Sequence, residues 1–325
     1  MKTLGEGVVA VCADDCSFLK LTGKDVPDYI NRISTNQVKN LLPHSSRSTI
    51  FTNEKGRIID LTRYINFGEF QLLAGTKDNS DKLKRWIERY LLSDDVIVTD
   101  VTAEYDVIIL TGRCVDRYLY ARFGEDTSEL GLNNMRSVEF AGRPFWIVRP
   151  ESGIGFPELL IMGTPEDIGI LFNKLQLPGE EEMPLKISES EYEALLVEFG
   201  VPGKNELRDL YNPHELNLLS AVDFKKGCYI GQEVIARLDT YNKVQKYLCR
   251  FEICDDKAVG EDYAIYDDDE EIGRVTSVTR SVISGKSIAL GVLKKGYIAE
   301  GNRVVARGVN QSEEIGLIVK MDRSK

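Results

Sequence analysis

The feature that most constrains the fold is a change of texture near residue 243. Before it, stretches with apolar residues at helical spacing alternate with short strand-like runs. Asp25 to Ile33, Asp78 to Leu92, Pro165 to Leu175 and Ser190 to Phe199 each gather their apolar residues on one helical face. Val8 to Cys12, Ile50 to Thr52, Arg57 to Ile65, Glu69 to Ala74, Val96 to Val101, Tyr105 to Leu110, Phe145 to Arg149 and Glu158 to Met162 read as strands. After residue 243 no good helix interrupts the pattern. Tyr247 to Ile253, Glu271 to Val278, Ser287 to Leu293, Arg303 to Arg307 and Glu314 to Lys320 are short alternating segments separated by Gly- or Asp-rich turns. That pattern predicts a small β-barrel or sandwich. The fold class is therefore α+β, with a mixed region over 1–243 and a β domain over 244–325.

A chain of 325 residues suits about two domains. Its 41 Lys and Arg against 52 Asp and Glu leave a net charge of −11, which argues against bulk binding to a nucleic-acid backbone or to anionic lipid. The only histidines are His44 and His214, so a three-histidine zinc site is excluded. No run approaches the ~18–20 apolar residues of a membrane helix, and the first residues lack a signal-peptide core. The expectation is a cytoplasmic protein whose cysteines are reduced thiols. No CxxC pair occurs among them. Asp267 to Glu271 is acidic but lacks the alternation of a calcium loop, and reads as a solvated turn.

The most unusual segment is Lys225-Lys226-Gly227-Cys228-Tyr229-Ile230-Gly231-Gln232-Glu233. Two lysines precede a single cysteine set between glycines, and Gln232 to Arg237 favours helix. Adjacent cations and a helix N-terminus both favour thiolate over thiol. The competing reading makes Cys228 a small buried residue in a tight turn. Glu198 stands among apolar neighbours, either as an acceptor for the N–H groups of a heterocycle or turned to solvent by helical spacing. Asp60, at the end of Gly56-Arg57-Ile58-Ile59-Asp60, poses the same question. His214, in Asn212-Pro213-His214-Glu215, reads as structural.

Together these stretches resemble the YgfZ branch of the folate-binding, GcvT-like aminomethyltransferase superfamily. Lys226-Gly227-Cys228-Tyr229-Ile230-Gly231-Gln232-Glu233 is similar to the signature K-G-C-[YF]-x-G-Q-E. Asn53-x-Lys55-Gly56-Arg57-Ile58, Glu198-x-Gly200-Val201-Pro202 and Asn212-Pro213-His214-Glu215 follow the family's order. The resemblance implies a three-lobed fold, with two mixed α/β lobes around a central cavity and a C-terminal barrel beside them. It implies tetrahydrofolate or a reduced derivative as cofactor, with Glu198 accepting from the pterin and Lys226, Tyr229 and Gln232 in the binding set. It implies a role supporting assembly or repair of iron–sulfur enzymes, including those that thiolate tRNA, with those proteins or their assembly machinery as partners. Cys228 would be the reactive group at the surface or cavity mouth. Aminomethyltransferases differ in ways that matter. They show paired aspartates where this chain has Asp60-Leu61, an Arg before the Glu198 position, and Asp and Arg where it has Cys228 and Gln232. One rival reading is a folate-dependent aminomethyltransferase or demethylase with Asp60 as acid/base. Another is a protein-interaction module without folate.

Overall fold

The computed structural model describes residues 4–13, 15–175, 183–254, 259–308 and 314–320. In chain order the elements are β1 (Val9–Cys12), β2 (Cys16–Thr22), α1 (Val26–Ile33), β3 (Ser45–Thr52), β4 (Ile58–Asn66), β5 (Gln71–Thr76), α2 (Ser80–Arg89), β6 (Ile97–Asp100), β7 (Asp106–Thr111), α3 (Val115–Phe123), β8 (Met135–Phe140), β9 (Arg143–Val148) and β10 (Glu158–Gly163). They continue with α4 (Pro165–Lys174), β11 (Leu185–Lys186), α5 (Glu189–Glu198), α6 (Gln232–Thr240), β12 (Lys246–Ile253), β13 (Ala264–Asp267), β14 (Glu270–Arg280), β15 (Ser287–Lys294), β16 (Arg303–Arg307) and β17 (Ile315–Lys320). The class is α+β, and the last six strands close into a barrel.

Two sheets make the first two lobes. A five-stranded sheet runs β3-β4-β5-β2-β6, and a six-stranded sheet runs β11-β1-β7-β10-β9-β8. The chain crosses between them at once: β1 pairs with β7 in the second sheet, while β2 lies between β5 and β6 in the first. Each sheet carries helices on one face. Tyr29 and Ile30 of α1 and Leu83 and Trp86 of α2 pack on Leu19, Phe51 and Tyr64 of the first sheet. Leu119 of α3 and Ile168 and Leu171 of α4 pack on Ile108, Leu110 and Ile161 of the second. The opposite faces meet each other. Phe18, Ile65 and Leu72 from the first sheet join Val9, Val11 and Ile109 from the second in one cluster, with Leu195 and Phe199 beside them.

Helix α5 is set at that junction by its own start signal. Ser188 Oγ accepts from the Glu191 N–H at 3.3 Å and Glu191 Oε2 accepts from the Ser188 N–H at 2.8 Å, a reciprocal capping box. The barrel follows the order β12-β15-β14-β13-β16-β17, around Phe251, Ile265, Ile272, Leu293 and Leu317. Its outward Leu248, Ile288, Leu290 and Val292 pack on Ile50, Ile58, Val197 and Ile235 of the mixed region. The acidic run at Asp267–Glu271 is the turn of the β13–β14 hairpin. No helix among the described residues is long and apolar enough to cross a membrane.

Three of the four motif segments meet at the β3–β4 turn. Asn53 Oδ1 accepts from the N–H groups of Lys55 and Arg57. Arg57 donates to Glu215 Oε2 at 2.7 Å, and Glu215 Oε2 also accepts from the Asn212 N–H. Thr52 donates to the Ile230 carbonyl at 2.7 Å. Gly231 has φ +84°, and a Cβ there would sit 2.6 Å from the Asn53 carbonyl oxygen. Gly231→Ala therefore meets both backbone strain and a clash, and is expected to cost well over the ~1 kcal/mol of a left-handed alanine. Gly142→Ala, at φ +76° with nothing within 4 Å of its Cβ, isolates the strain alone. Urea denaturation should rank Gly231→Ala as the more destabilising; equal losses would show that the close approach does not matter.

Candidate functional site

Glu198 is the last residue of α5 and is buried. Helical spacing does not turn it to solvent. Arg250 on β12 donates from Nη1 to Glu198 Oε1 at 3.0 Å and to the Glu198 carbonyl oxygen at 2.9 Å. This ion pair joins α5 to the barrel, and Arg250 is a site residue that the sequence reading did not single out. An arginine set between Cys249 and Phe251 in a barrel strand is the signal that would have marked it.

Asp60 is fully buried, and strand alternation settles where it points. Arg63 and Ile65 are on the face of β4 turned to the second sheet, and Leu61 shares that face. Asp60, Thr62 and Tyr64 are on the other face, towards α1 and α2. The Asp60 carboxylate accepts from the Thr76 N–H at 3.1 Å, Thr76 Oγ1 at 2.9 Å, Asn79 Nδ2 at 3.5 Å and the Leu61 N–H at 3.0 Å. Gly75 lies so close that a Cβ would be 2.7 Å from Asp60 Oδ2. Burial raises the Asp60 carboxyl to about 6, against the pull of those hydrogen bonds. Asp60 thus ties β4 to the end of β5 and the start of α2, and Leu61, on the other face, packs in the cluster where the mixed region meets the barrel.

Lys226 is buried, and its three N–H groups are all engaged. Nζ donates to the carbonyl oxygens of Asn31, Ser34 and Asn36 at 2.6, 2.7 and 2.7 Å. Asn31 is in the last turn of α1 and Ser34 and Asn36 follow it, where carbonyls lack intrahelical partners and favour a cation. Burial lowers the ammonium to about 8. This corrects the sequence picture of two lysines charging the Cys228 thiol: the Lys226 charge is directed inward, because three orphan carbonyls hold it there.

Cys228 itself is a free, exposed thiol, so it does not fill a buried turn. Burial pushes the Cys16 and Cys249 thiols up to about 12, which keeps them protonated. Tyr229 is buried beside Val197 and Leu216, and its hydroxyl has no hydrogen-bond partner among the described residues. Gln232 is half-buried in the first turn of α6. His214 is structural: it is buried and its Nε2 lies 3.0 Å from the Ile235 carbonyl oxygen. The motif residues gather in one seam, while Asp60 is on the far side of its sheet.

A second group escaped the sequence reading. Arg63 on β4, Glu158 on β10 and Tyr192 on α5 are each half-buried. Tyr192 and Leu196 also line a cavity of about 400 Å³ that reaches Ser277 and Thr279 of the barrel. Charged residues inside the apolar strands Ile58–Asn66 and Glu158–Gly163 were the available clue.

Two expected outcomes follow. Glu198→Ala removes the nearest carboxylate from a buried guanidinium and should cost roughly 3–5 kcal/mol, whereas Glu198→Ala with Arg250→Met should cost less than the sum of the singles. Additive losses in urea denaturation would deny the coupling. Asp60 binds its proton more tightly folded than unfolded, so its burial cost is absent at low pH, appears as pH rises from ~4 to ~6, and persists above. The stability of Asp60→Asn relative to the parent should therefore rise over that window, by up to roughly 3 kcal/mol at ~1.4 kcal/mol per pH unit. A flat difference would refute it.

Comparison with known proteins places this geometry. Residues 8–226 match the GCVT N-terminal domain, and residues 246–315 match the glycine cleavage T-protein C-terminal barrel domain. A putative chloroplastic transferase of Arabidopsis thaliana is 24% identical over 92% of this chain and 68% of its own length. An aminomethyltransferase of Staphylococcus carnosus is 26% identical over 94% of this chain and 84% of its own. The crystal structure of the glycine cleavage system aminomethyltransferase T from Bartonella henselae superposes with a TM-score of 0.81, covering 98% of this chain and 86% of that one, at 16% identity. That last likeness shows the shared fold.

Proposed function

The chain belongs to the glycine cleavage T-protein family, and we propose that it binds tetrahydrofolate or a reduced derivative and has lost aminomethyl transfer. One observation carries the second half. At the position of the family's paired aspartates Leu61 packs among apolar residues where the mixed region meets the barrel, and Asp60 is sealed on the opposite face of the strand by four hydrogen-bond donors. A carboxyl group that cannot reach a ligand cannot take its proton.

The folate half draws on the family and on the seam around α5 and α6. The seam offers Glu198 as a fixed acidic group, Gln232 as a polar group, and the Tyr229 hydroxyl, a buried polar atom that a bound heterocycle would satisfy. Reduced folate supplies a one-carbon carrier when bound. The chain's own residues would orient it: Arg250 keeps Glu198 fixed, and Lys226 holds the loop before Tyr229 on α1. Within this reading the protein is an accessory factor for iron–sulfur enzymes, including those that thiolate tRNA, and Cys228 is its working thiol. The resemblance of the 226–233 segment and the exposure of Cys228 support that role. The second reading, aminomethyl transfer, is supported by the names of the relatives.

Binding and turnover tested together separate the readings. Calorimetry should show tetrahydrofolate binding, and Glu198→Gln, which keeps a partner for Arg250, should weaken it by ~1.5–3 kcal/mol. No binding by the unmodified protein would refute the folate reading. With an aminomethyl-carrying lipoyl carrier and tetrahydrofolate, methylenetetrahydrofolate should not form at an enzymatic rate; turnover of ~1 per second or faster would establish the transferase. In cells lacking the native protein, folded Cys228→Ser should fail to restore iron–sulfur enzyme activity, and full rescue would remove Cys228 from the mechanism.

A further inference from the structure

Arg63, Glu158 and Tyr192 come from three different elements, and each leaves hydrogen-bonding capacity unused. Arg63 donates from Nη1 alone, to Ser46 Oγ at 3.2 Å and Asn133 Oδ1 at 3.0 Å. Its Nε and Nη2 have no protein partner among the described residues, which leaves the open edge of a guanidinium, the geometry that takes a carboxylate with two parallel bonds. Glu158 accepts one bond, from the Tyr192 hydroxyl to Oε2 at 3.3 Å. Its Oε1 has no partner among the described residues. The two charges influence one another but do not form an ion pair.

Both residues stand on the strand faces that the two sheets turn towards each other. Arg63 stands on the inner face of the first sheet, opposite Ser48 on β3 and Ala74 on β5, two small residues that retain accessible surface. Glu158 projects from the second sheet at the start of β10, opposite Thr111. Burial raises the Glu158 carboxyl to about 7 and lowers the Arg63 guanidinium to about 10, and the attraction of Glu158 and Glu151 for Arg63 offsets this only in part. Partial neutralisation from a ligand carrying both opposite charges would relieve both.

We infer that this cluster recognises a small zwitterion of the amino-acid class, with the ligand carboxylate on the open edge of Arg63 and its ammonium on Glu158 beside Tyr192. The site shares no residue with the α5–α6 seam of the folate reading and does not require folate to bind. A ligand with one charge would satisfy one residue and leave the other as it is. Separation of the two charged groups should set which chain length fits.

The test titrates the full chain with glycine, β-alanine and 4-aminobutyrate, and with acetate and methylamine as the separated halves, by calorimetry at pH 8. One amino acid should bind at least about tenfold more tightly than either half. Arg63→Met and Glu158→Gln should each weaken it by about tenfold or more, and Arg63→Lys by less. Glu158→Gln removes a buried charge, so its melting temperature at pH 8 should not fall, which separates lost binding from lost folding. Tetrahydrofolate affinity should be retained in both variants. No preference for an amino acid over its halves would overturn the inference, as would binding that survives both substitutions. Loss of tetrahydrofolate binding in their place would assign the cluster to the pterin and overturn it too. Zwitterion binding in a protein that fails to bind folate would uphold this inference and reject the folate reading.

Discussion

The buried pair between Glu198 and Arg250 holds the third side of the molecule in place. Two facing sheets alone make an open sandwich with α5 at its edge. Arg250 reaches from β12 to both the side chain and the main chain at the end of α5. That double contact fixes the barrel against the helix that carries Tyr192 and Glu198. A buried ion pair is weak evidence for stability, because desolvation opposes its attraction. Its value here is positional: it permits one register of barrel on helix, in which the outward face of the barrel covers Val197 and Ile235.

The 226–233 segment shows how a motif can be structural and functional at once. Lys226 caps α1 from nearly two hundred residues away, and Gly231 lets α6 start against the β3–β4 turn. Between them Cys228 is exposed. Both neighbours of the thiol are anchored to the first sheet, so the loop that presents it is held at each end. The residue types at Lys226 and Gly231 answer to packing, and Cys228 is the position left free to answer to chemistry.

Much of the architecture was legible because its periodicities are clean. Helices α1, α2 and α4 each show one apolar face, and five of the six barrel strands stand out as short runs between Gly- or Asp-rich turns. The missed elements have physical reasons. Strand β2 is central in its sheet and buries consecutive residues, Phe18 and Leu19, so it does not alternate. Helix α3 exposes Tyr120 to solvent and so blurs its apolar face. At the site, residue types could be read but directions could not. Nothing in the sequence around Lys226 reveals that its amine meets three carbonyls, and nothing around Glu198 reveals an arginine 52 positions later.

The alternation of β4 decides more than any single motif. A strand turns neighbours to opposite faces, so adjacent residues 60 and 61 cannot share a role. With a carboxylate at 60 alone, the acid is committed to joining β4 with α2, where it meets four donors. With leucine at 61, the inner face loses polarity at that point and regains it at Arg63, one full repeat further along the strand. Arg63 lies about 7 Å further along β4 than Leu61, two residues of strand rise, and donates from one nitrogen to Ser46 and Asn133. One strand thus carries on one face a carboxylate committed to the fold and on the other a guanidinium with donors to spare.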